Sequence, residues 1–229
     1  MSNSVSANLA QVRKRIELAV LAAGRPADAV SLLAVSKTMP AQAVRDAFAA
    51  GQLAFGENYI QEGVDKIASL ADLPLVWHCI GPIQSNKTKL VAENFAWVHS
   101  IDRLKIAERL SAQRPANLPA LQICLQVNVD GGSNKSGVTP TDLLALAQAV
   151  AQLPNLQLRG IMTIPEPAEN EAAARSVHRQ AKALFDSLNA AGLKLDTLSM
   201  GMTGDLEAAI AEGSTCLLYT SDAADEGLG

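Results

Sequence analysis

The stretch "SLLAVSKTMPAQAVRDAFAAG", residues 31–51, sets the fold class of this chain. Four consecutive apolar residues, 32–35, indicate a strand that is buried on both faces, and a helical pattern follows Pro40. The same unit, a short apolar run and then a helix, recurs along most of the remaining chain. Repeated strand–helix units of this kind are typical of a parallel βαβ architecture.

The repeats predict a (β/α)8 TIM barrel, an α/β fold, with an extra N-terminal helix over about residues 7–23. An eighth strand falls in "STCLLYT", residues 214–220, and we expect this last strand and its closing helix to be incomplete. An open doubly wound sheet is the alternative topology. A single domain is expected over residues 1–215. The helices after the strands are predicted at about 40–50, 58–70, 85–93, 102–113, 140–152, 169–191 and 204–212.

Composition narrows the function classes. The 229 residues carry a net charge of −4 and are 48% apolar, so the chain has no basic surface suited to nucleic acid. The sequence contains no apolar run of membrane-spanning length and no signal pattern at its N-terminus. Its three cysteines, Cys79, Cys124 and Cys216, lack paired spacing and are expected to be buried thiols in a reducing cytoplasm.

Lys37 is the first candidate functional residue, because it follows the first buried strand directly. The carboxyl ends of the strands carry the active site in a barrel of this type. A partly desolvated lysine there favours its neutral amine, which attacks carbonyl carbons to give a Schiff base. A strand-end lysine that extends its charged group to water is an equally good interpretation of the local sequence.

The stretch "SMGMTGDLEAAI", residues 199–210, is the second candidate. Gly201 and Gly204 allow close approach to a ligand, and the N–H groups of Ser199 to Thr203 (Ser199, Met200, Gly201, Met202, Thr203) precede a helix, a common phosphate cradle. A plain strand–helix turn with Asp205 at the helix start is the alternative. A reactive lysine and a phosphate cradle together suit pyridoxal 5′-phosphate (PLP), which has both an aldehyde and a phosphate.

Other polar residues follow the remaining strands. Asn58 could orient a cofactor or cap the next helix. His78 could contact a ring, although a hydrogen-bonded strand histidine is slightly favoured. Asn86 and Lys87 would form a polar rim, whereas His99 and His178 are expected to be structural or exposed. The spacing of histidines and cysteines predicts no metal site.

Six motifs in order resemble the pyridoxal phosphate homeostasis protein family, which is related to the N-terminal barrel of alanine racemase. The resemblance covers about residues 7–215. The motifs are "LLAVSKTMP", "FGENYIQE", "WHCIGPIQSNKTK", "VNVDGGSNKSG", "LRGIMTI" and "LSMGMTGDLEAAIAEGST".

The resemblance implies a fold-type III PLP-binding barrel that carries PLP as an aldimine on Lys37 and buffers or delivers it. Asn58 matches a residue beside the cofactor, and Ser199, Met200 and Gly201 match the loop at its phosphate. His78, Asn86 and Lys135 match family positions at the mouth or entrance. The implied partners are PLP and amine, amino-acid or apo-enzyme acceptors, and a monomer is expected, with neither nucleic acid nor membrane involved.

The sequence departs from the family pattern at its end. Leu218, Thr220 and Ser221 stand where the family has Arg, Gly and Thr near the phosphate. Because "LLYTSDAADE" resembles a translated sequencing adapter, residues 216–229 are predicted to be a non-native tail. Loss of the arginine would weaken phosphate binding by on the order of 1.5–3 kcal/mol for each charge-assisted hydrogen bond.

Three functions fit these residues to different degrees. A PLP carrier needs only the lysine and the phosphate loop, and the family has no established turnover. A PLP-dependent amino-acid racemase also needs an acid–base group opposite the lysine, for which the chain offers only Tyr59 and Tyr219. A cofactor-free Schiff-base aldolase would place its lysine on a later strand. The carrier is therefore the predicted function, with the racemase as the alternative.

Overall fold

The computed structural model describes residues 4–131 and 136–220. Its parallel strands form a closed barrel in which each strand pairs with the next along the chain and the last pairs with the first. The predicted TIM barrel is thus confirmed, and the doubly wound sheet is excluded. The strands are β1 (Ser31–Val35), β2 (Ala54–Glu57), β3 (Val76–Cys79), β4 (Trp97–Ile101), β5 (Leu121–Gln126), β6 (Leu156–Thr163), β7 (Thr197–Met200) and β8 (Cys216–Tyr219).

The helices surround this barrel, and each predicted range overlaps an observed helix to within a few residues. A single 3-10 turn, Ser85–Lys87, precedes the fourth helix. No helix of the described residues is long and apolar enough to cross a bilayer. The helices are α1 (Val5–Ala22), α2 (Ala41–Ala49), α3 (Ile60–Ser69), α4 (Thr88–Asn94), α5 (Leu104–Gln113), α6 (Leu143–Ala151), α7 (Glu171–Ala190) and α8 (Leu206–Ala211).

The end of the barrel differs from the expectation of an incomplete last strand. Strand β8 pairs with β1 from Ser31↔Cys216 to Ala34↔Tyr219 and with β7 at Ser199↔Cys216, so the ladder closes. Backbone hydrogen bonds do not depend on the missing arginine, and Leu217 and Leu218 are apolar enough to be buried. The non-native origin of residues 216–229 remains a prediction, and residues 216–219 serve as β8.

Helix α1 completes the outer ring. It packs against both α8 and α2, and so covers the outer face where β8 meets β1. Its buried residues follow a helical stripe: Leu9, Val12, Ile16 and Val20. The extra N-terminal helix therefore lies between α8 and α2 in the outer ring.

The alternation of side chains along the strands separates two environments. The outward residues form the main apolar core between strands and helices. The inner face holds a small apolar cluster, Leu33, Ile80, Cys216 and Leu218, beside polar side chains. All three cysteines are buried free thiols, as predicted, and burial raises the pKa of Cys79 to about 12 and that of Cys216 to about 11.

Candidate functional site

Lys37 lies in a tight turn directly after β1 and is half-buried. The Met39 N–H donates to the Ser36 carbonyl at 3.1 Å, which closes the turn around Lys37 and Thr38. Thr38 has φ 61°, the left-handed region, as the third residue of a type II turn requires. Glycine is usual there, so a β-branched threonine is strained. The strain sits beside the residue that the sequence singles out.

Charged residues beneath this turn hydrogen-bond to it and to one another. The Lys66 ammonium donates to the Ser36 carbonyl and to Glu57 Oε1, both at 2.6 Å, and to Glu62 Oε1 at 3.0 Å. Burial raises the pKa of Glu57, and its hydrogen bonds with Lys66 and Ser36 oppose that shift. Asn58, which follows Glu57, does not cap α3, because Tyr59 occupies the N-cap position and the helix has no side-chain cap.

The segment 199–205 differs in part from the predicted phosphate loop. Ser199 and Met200 are the last residues of β7 and are fully buried. Gly201 has φ 92°, and a Cβ there would lie 2.4 Å from the Ala209 Cβ, so only glycine fits. The Met202 N–H donates to Asp205 Oδ1 at 2.7 Å, so this amide is already engaged within the loop.

Asp205 organises the loop that carries Thr203. Its Oδ2 lies 2.7 Å from His178 Nε2, and the Arg15 guanidinium donates to the Thr203 carbonyl at 3.0 Å. Burial would raise the pKa of Asp205, but hydrogen bonds from His178 and the Met202 N–H outweigh it and lower the pKa. His178 is thus buried and structural. Its distance in sequence from Asp205 hid the pairing from sequence analysis.

Among the described residues, five buried side-chain oxygens at the carboxyl ends of the strands have no hydrogen-bond partner. They lie at or shortly after the ends of β2, β6, β7 and β8, and each belongs to a side chain able to hydrogen-bond to a polar ligand. Buried polar atoms normally find partners, so unpartnered atoms at several neighbouring strand ends are candidate contacts for a polar ligand. The oxygens are Glu57 Oε2, Asn58 Oδ1, Thr163 Oγ1, Thr203 Oγ1 and Thr220 Oγ1.

His78, predicted at the mouth, lies inside the barrel instead. It pairs in register with Gly56, which pairs with Val35, so it sits two positions below the level of Lys37. Its Nδ1 lies 2.8 Å from His99 Nε2, and His99 Nδ1 lies 2.9 Å from Ser199 Oγ. Burial lowers the pKa of both histidines, that of His99 to about 4. The hydrogen-bonded strand histidine is therefore the correct interpretation of His78.

The remaining predicted residues divide by place. Asn86 is exposed within the 3-10 turn after β3, as expected for a rim. Lys135 lies outside the described residues. Leu218 is buried in the inner apolar cluster, so no cation occupies the position of the family arginine. His99, expected to be structural or exposed, is buried and hydrogen-bonded, but the sequence analysis did not pair it with His78. Its placement in "WVHS" at the same alternation as His78 in "VWHC" is the signal that could have found it.

A cleft of about 590 Å³ opens between the loops that follow β6 and β7. This volume is within the range of small-molecule sites. Thr163, Gly201, Met202 and Asp205 are among its lining residues. The cleft therefore adjoins the predicted phosphate loop and lets solvent reach that side of the mouth.

Fold and mouth together define a barrel of the alanine racemase N-terminal class. The family model for "Alanine racemase, N-terminal domain" matches residues 7–217. An alanine racemase from Corynebacterium glutamicum shares this fold, with a TM-score of 0.66 at 14% sequence identity. The matched region covers 93% of this chain and 58% of the racemase. At that identity the likeness concerns the fold alone.

More similar relatives define the particular family. A pyridoxal phosphate homeostasis protein from Pseudomonas aeruginosa is 61% identical over 213 residues, which cover 93% of this chain and 91% of the relative. PipY of Synechococcus elongatus, solved with PLP bound, is 38% identical, with a TM-score of 0.83 and coverage of 95% of this chain and 98% of PipY. The chain belongs to the pyridoxal phosphate homeostasis protein family.

Proposed function

We propose that this chain binds pyridoxal 5′-phosphate at the carboxyl end of its barrel and serves intracellular PLP homeostasis, with Lys37 as the attachment residue. The observation that carries the proposal is the pairing of two features at one mouth. A lysine lies in a strained, fixed turn after β1, and unpartnered buried oxygens lie after β6, β7 and β8. Family membership supports the same cofactor.

The residues present fit this cofactor. When bound, PLP supplies an aldehyde that reacts with primary amines and a phosphate that accepts several hydrogen bonds. The unpartnered hydroxyls of Thr163, Thr203 and Thr220 are donors of the kind a phosphate needs. At Gly201 a Cβ would not fit, so glycine allows the backbone to pack closely at this edge of the barrel.

Each residue then has a defined task. Lys37 is half-buried at the mouth, and its primary amine is the group that would react with the aldehyde. The side-chain amide of Asn58 hydrogen-bonds the ligand beside Lys37. The Thr203 hydroxyl, the Gly201 backbone and the Ser199–Met200 strand end would hold the phosphate, while Asp205 keeps Met202 in the loop conformation.

Release to an acceptor completes the proposal. Thr38 and Pro40 are exposed beside Lys37, and the cleft between the β6 and β7 loops leaves the mouth reachable by a second amine. An amino acid or the lysine of an apo-enzyme could therefore take over the cofactor. The monomeric state and the cytoplasmic location remain part of this proposal.

The racemase alternative has less support. A two-base racemase needs a proton donor on the face opposite Lys37. The chain has two tyrosines. Tyr59 is 56% exposed at the start of α3, and Tyr219 lies beside residues of α1 and α2 in a crevice outside the barrel. Neither lies inside the barrel across from Lys37, so the carrier function is preferred.

The proposal is tested by incubating the protein with PLP, recording the visible absorbance, reducing with borohydride and mapping the modified peptide. We expect a pyridoxyl mass on Lys37 and its loss in Lys37→Ala. Lys89→Ala is the matched control, because Lys89 is a solvent-exposed lysine on α4. A folded protein without the band, or a Lys37→Ala variant that keeps it, would contradict the assignment.

A further inference from the structure

Three ionisable residues under the Lys37 turn form a connected unit, buried at two of its members, that the proposed function does not use. Glu57 ends β2, and Glu62 and Lys66 lie one helical turn apart on α3. We refer to Glu57, Glu62 and Lys66 as the α3 charge network. We propose that the α3 charge network is a positioning device for the Lys37 amine, which it fixes by holding the backbone on both sides of that residue. This inference rests on the proposed role of Lys37.

The contacts flank Lys37 symmetrically. On the N-terminal side, the Lys66 ammonium donates to the Ser36 carbonyl at 2.6 Å, and the Ser36 hydroxyl donates to Glu57 Oε1 at 2.6 Å. On the C-terminal side, the Thr38 N–H donates to Glu62 Oε1 at 2.6 Å. Glu62 Oε1 also accepts from Lys66, so one ammonium joins both sides.

The contacts on the N-terminal side of Lys37 are buried. The side chains of Lys66 and Glu57 are 6% and 0% exposed, so their ion pair is shielded from solvent. A buried ammonium must satisfy its three donors, and Lys66 does so with the Ser36 carbonyl, Glu57 and Glu62. Breaking the Lys66–Glu57 pair would orphan a buried charge, so this pair fixes the Ser36 side of the turn. Glu62 is one-third exposed and adds the contact on the Thr38 side.

The strain at Thr38 shows what the network accomplishes. A threonine in the left-handed region persists only where its surroundings enforce it, and such residues cluster at functional sites. The Thr38 N–H bond to Glu62 and the Thr38 hydroxyl bond to the Lys37 carbonyl at 2.7 Å are the enforcing contacts we identify. Without Glu62, the turn can open and the Lys37 side chain can sample other directions.

Misplacement of a reacting group by about 1 Å can cost up to about a hundredfold in rate. We therefore expect Glu62→Ala to slow covalent capture of PLP on Lys37 by about tenfold or more. Glu62→Gln keeps a carbonyl oxygen that can accept from the Thr38 N–H, so it should restore most of the rate. The measurement is the rate at which the pyridoxyl mass accumulates on Lys37 under borohydride trapping.

A second measurement needs no cofactor. Amide hydrogen exchange across residues 36–39 should be about tenfold faster in Glu62→Ala than in the unmodified protein, because the Thr38 N–H loses its acceptor. Glu93→Ala is the matched control, since Glu93 pairs with Lys89 across one exposed turn of α4. Lys66→Met provides an independent disruption of the same network.

The outcomes separate the two proposals. If the unmodified protein captures PLP on Lys37 and Glu62→Ala captures it within about twofold of that rate, the positioning role is wrong. Capture that falls only in proportion to a lowered melting temperature, without rescue by Glu62→Gln, also overturns it. If the unmodified protein never captures PLP, the proposed function fails and the positioning role with it, whatever the exchange rates show.

Discussion

The two sides of the barrel mouth are built in opposite ways. On the attachment side, Ser36–Thr38 is held by hydrogen bonds to the α3 charge network beneath it, in which Glu57 Oε2 alone among the carboxylate oxygens of Glu57 lacks a partner in the described part of the chain. The phosphate side, Thr163 with the 201–203 loop and Thr220, holds three buried hydroxyls without partners. The turn on the attachment side is therefore held by hydrogen bonds within the protein, whereas the three hydroxyls on the phosphate side make none with the residues that the structure describes.

The contrast shows where a carrier needs rigidity. The atom that forms a bond must be fixed before the cofactor arrives, so its supports are internal. The groups that hold a phosphate can remain unpaired until it binds, at a cost that binding recovers. Substitutions on each side, and in the barrel interior between them, should therefore have effects of different size and kind.

The largest effect is expected at Gly201 on the phosphate side. In Gly201→Ala the new Cβ would lie 2.4 Å from the Ala209 Cβ and 2.8 Å from Leu217 Cδ2, at φ 92°. Left-handed strain and overpacking together should lower the free energy of unfolding by about 2–5 kcal/mol. PLP affinity should fall as well, because the loop must shift.

Denaturant unfolding with and without PLP measures both effects. Gly24→Ala is the control, since Gly24 has φ 64° and a Cβ added there would have no neighbouring atom within 4 Å. It should lose only the strain, about 1–2 kcal/mol, and keep PLP affinity. Equal losses in the two variants would show that close packing at Gly201 is unimportant.

The next effect concerns acid stability, because the His78–His99 pair crosses the barrel interior from β3 to Ser199 on β7. Burial lowers the pKa of His99 to about 4, whereas an unfolded histidine titrates near 6.5. Between those pH values the unfolded chain binds more protons, so stability falls as the pH falls. The slope should reach about 1.4 kcal/mol per pH unit for each histidine.

Chemical unfolding from pH 6.5 to 5 tests this, and comparison between variants subtracts the contribution of Glu57, whose pKa burial raises. His99→Gln should give a shallower slope than the unmodified protein even if its absolute stability is lower. The same slope in both proteins would mean that His99 is not held neutral in the folded state.

Much of this architecture could be predicted, because it depends on local periodicity. Continuous apolar runs indicated the parallel strands, and the helices begin and end within a few residues of prediction. What could not be predicted depends on register. The alignment of the strands decides whether His99 faces inward. The alignment of helices and loops brings His178 to Asp205, 27 positions away in the sequence.

The same limit explains the site. Lys37 was predicted because it directly follows a buried strand. Lys66 was not, because a lysine on an amphipathic helix usually faces water, and only the approach of α3 to the β1 turn buries it. Likewise, β8 closes the barrel through backbone pairing with β1 and β7, which the pattern of side chains does not predict. Sequence thus indicates candidate reactive residues more readily than the side chains that hold them in place.

An intermediate effect is expected from a charge introduced at Leu218, which should act on the phosphate side of the mouth alone. Leu218 packs with Leu33 and Ile80 inside the barrel, and Met202 packs against the same cluster. Leu218→Arg would bring a cation to the phosphate side. We expect PLP affinity to rise about tenfold through charge-assisted hydrogen bonds, which is about 1.4 kcal/mol.

The same change should lower the melting temperature of the cofactor-free protein, because a guanidinium is buried without an anion. Titration of PLP by absorbance and thermal unfolding without it give the two readouts. Leu218→Met, which conserves volume, should alter neither by much. A Leu218→Arg variant with unchanged affinity would show that position 218 does not reach the phosphate.

The smallest effect separates strain from hydrogen bonding on the attachment side. Thr38→Gly removes both the left-handed strain and the hydroxyl bond to the Lys37 carbonyl, whereas Thr38→Ala removes only that bond. Both variants keep the Thr38 N–H that donates to Glu62. Glycine tolerates φ 61° and alanine does not, so Thr38→Gly should be more stable than Thr38→Ala. The difference should be up to about 1 kcal/mol after allowing for the greater freedom of glycine in the unfolded chain.

Denaturant midpoints of the two variants, measured side by side, decide the order. An alanine variant as stable as the glycine variant would mean that the α3 charge network holds a relaxed turn, and that the fixed position of Lys37 comes from the network alone.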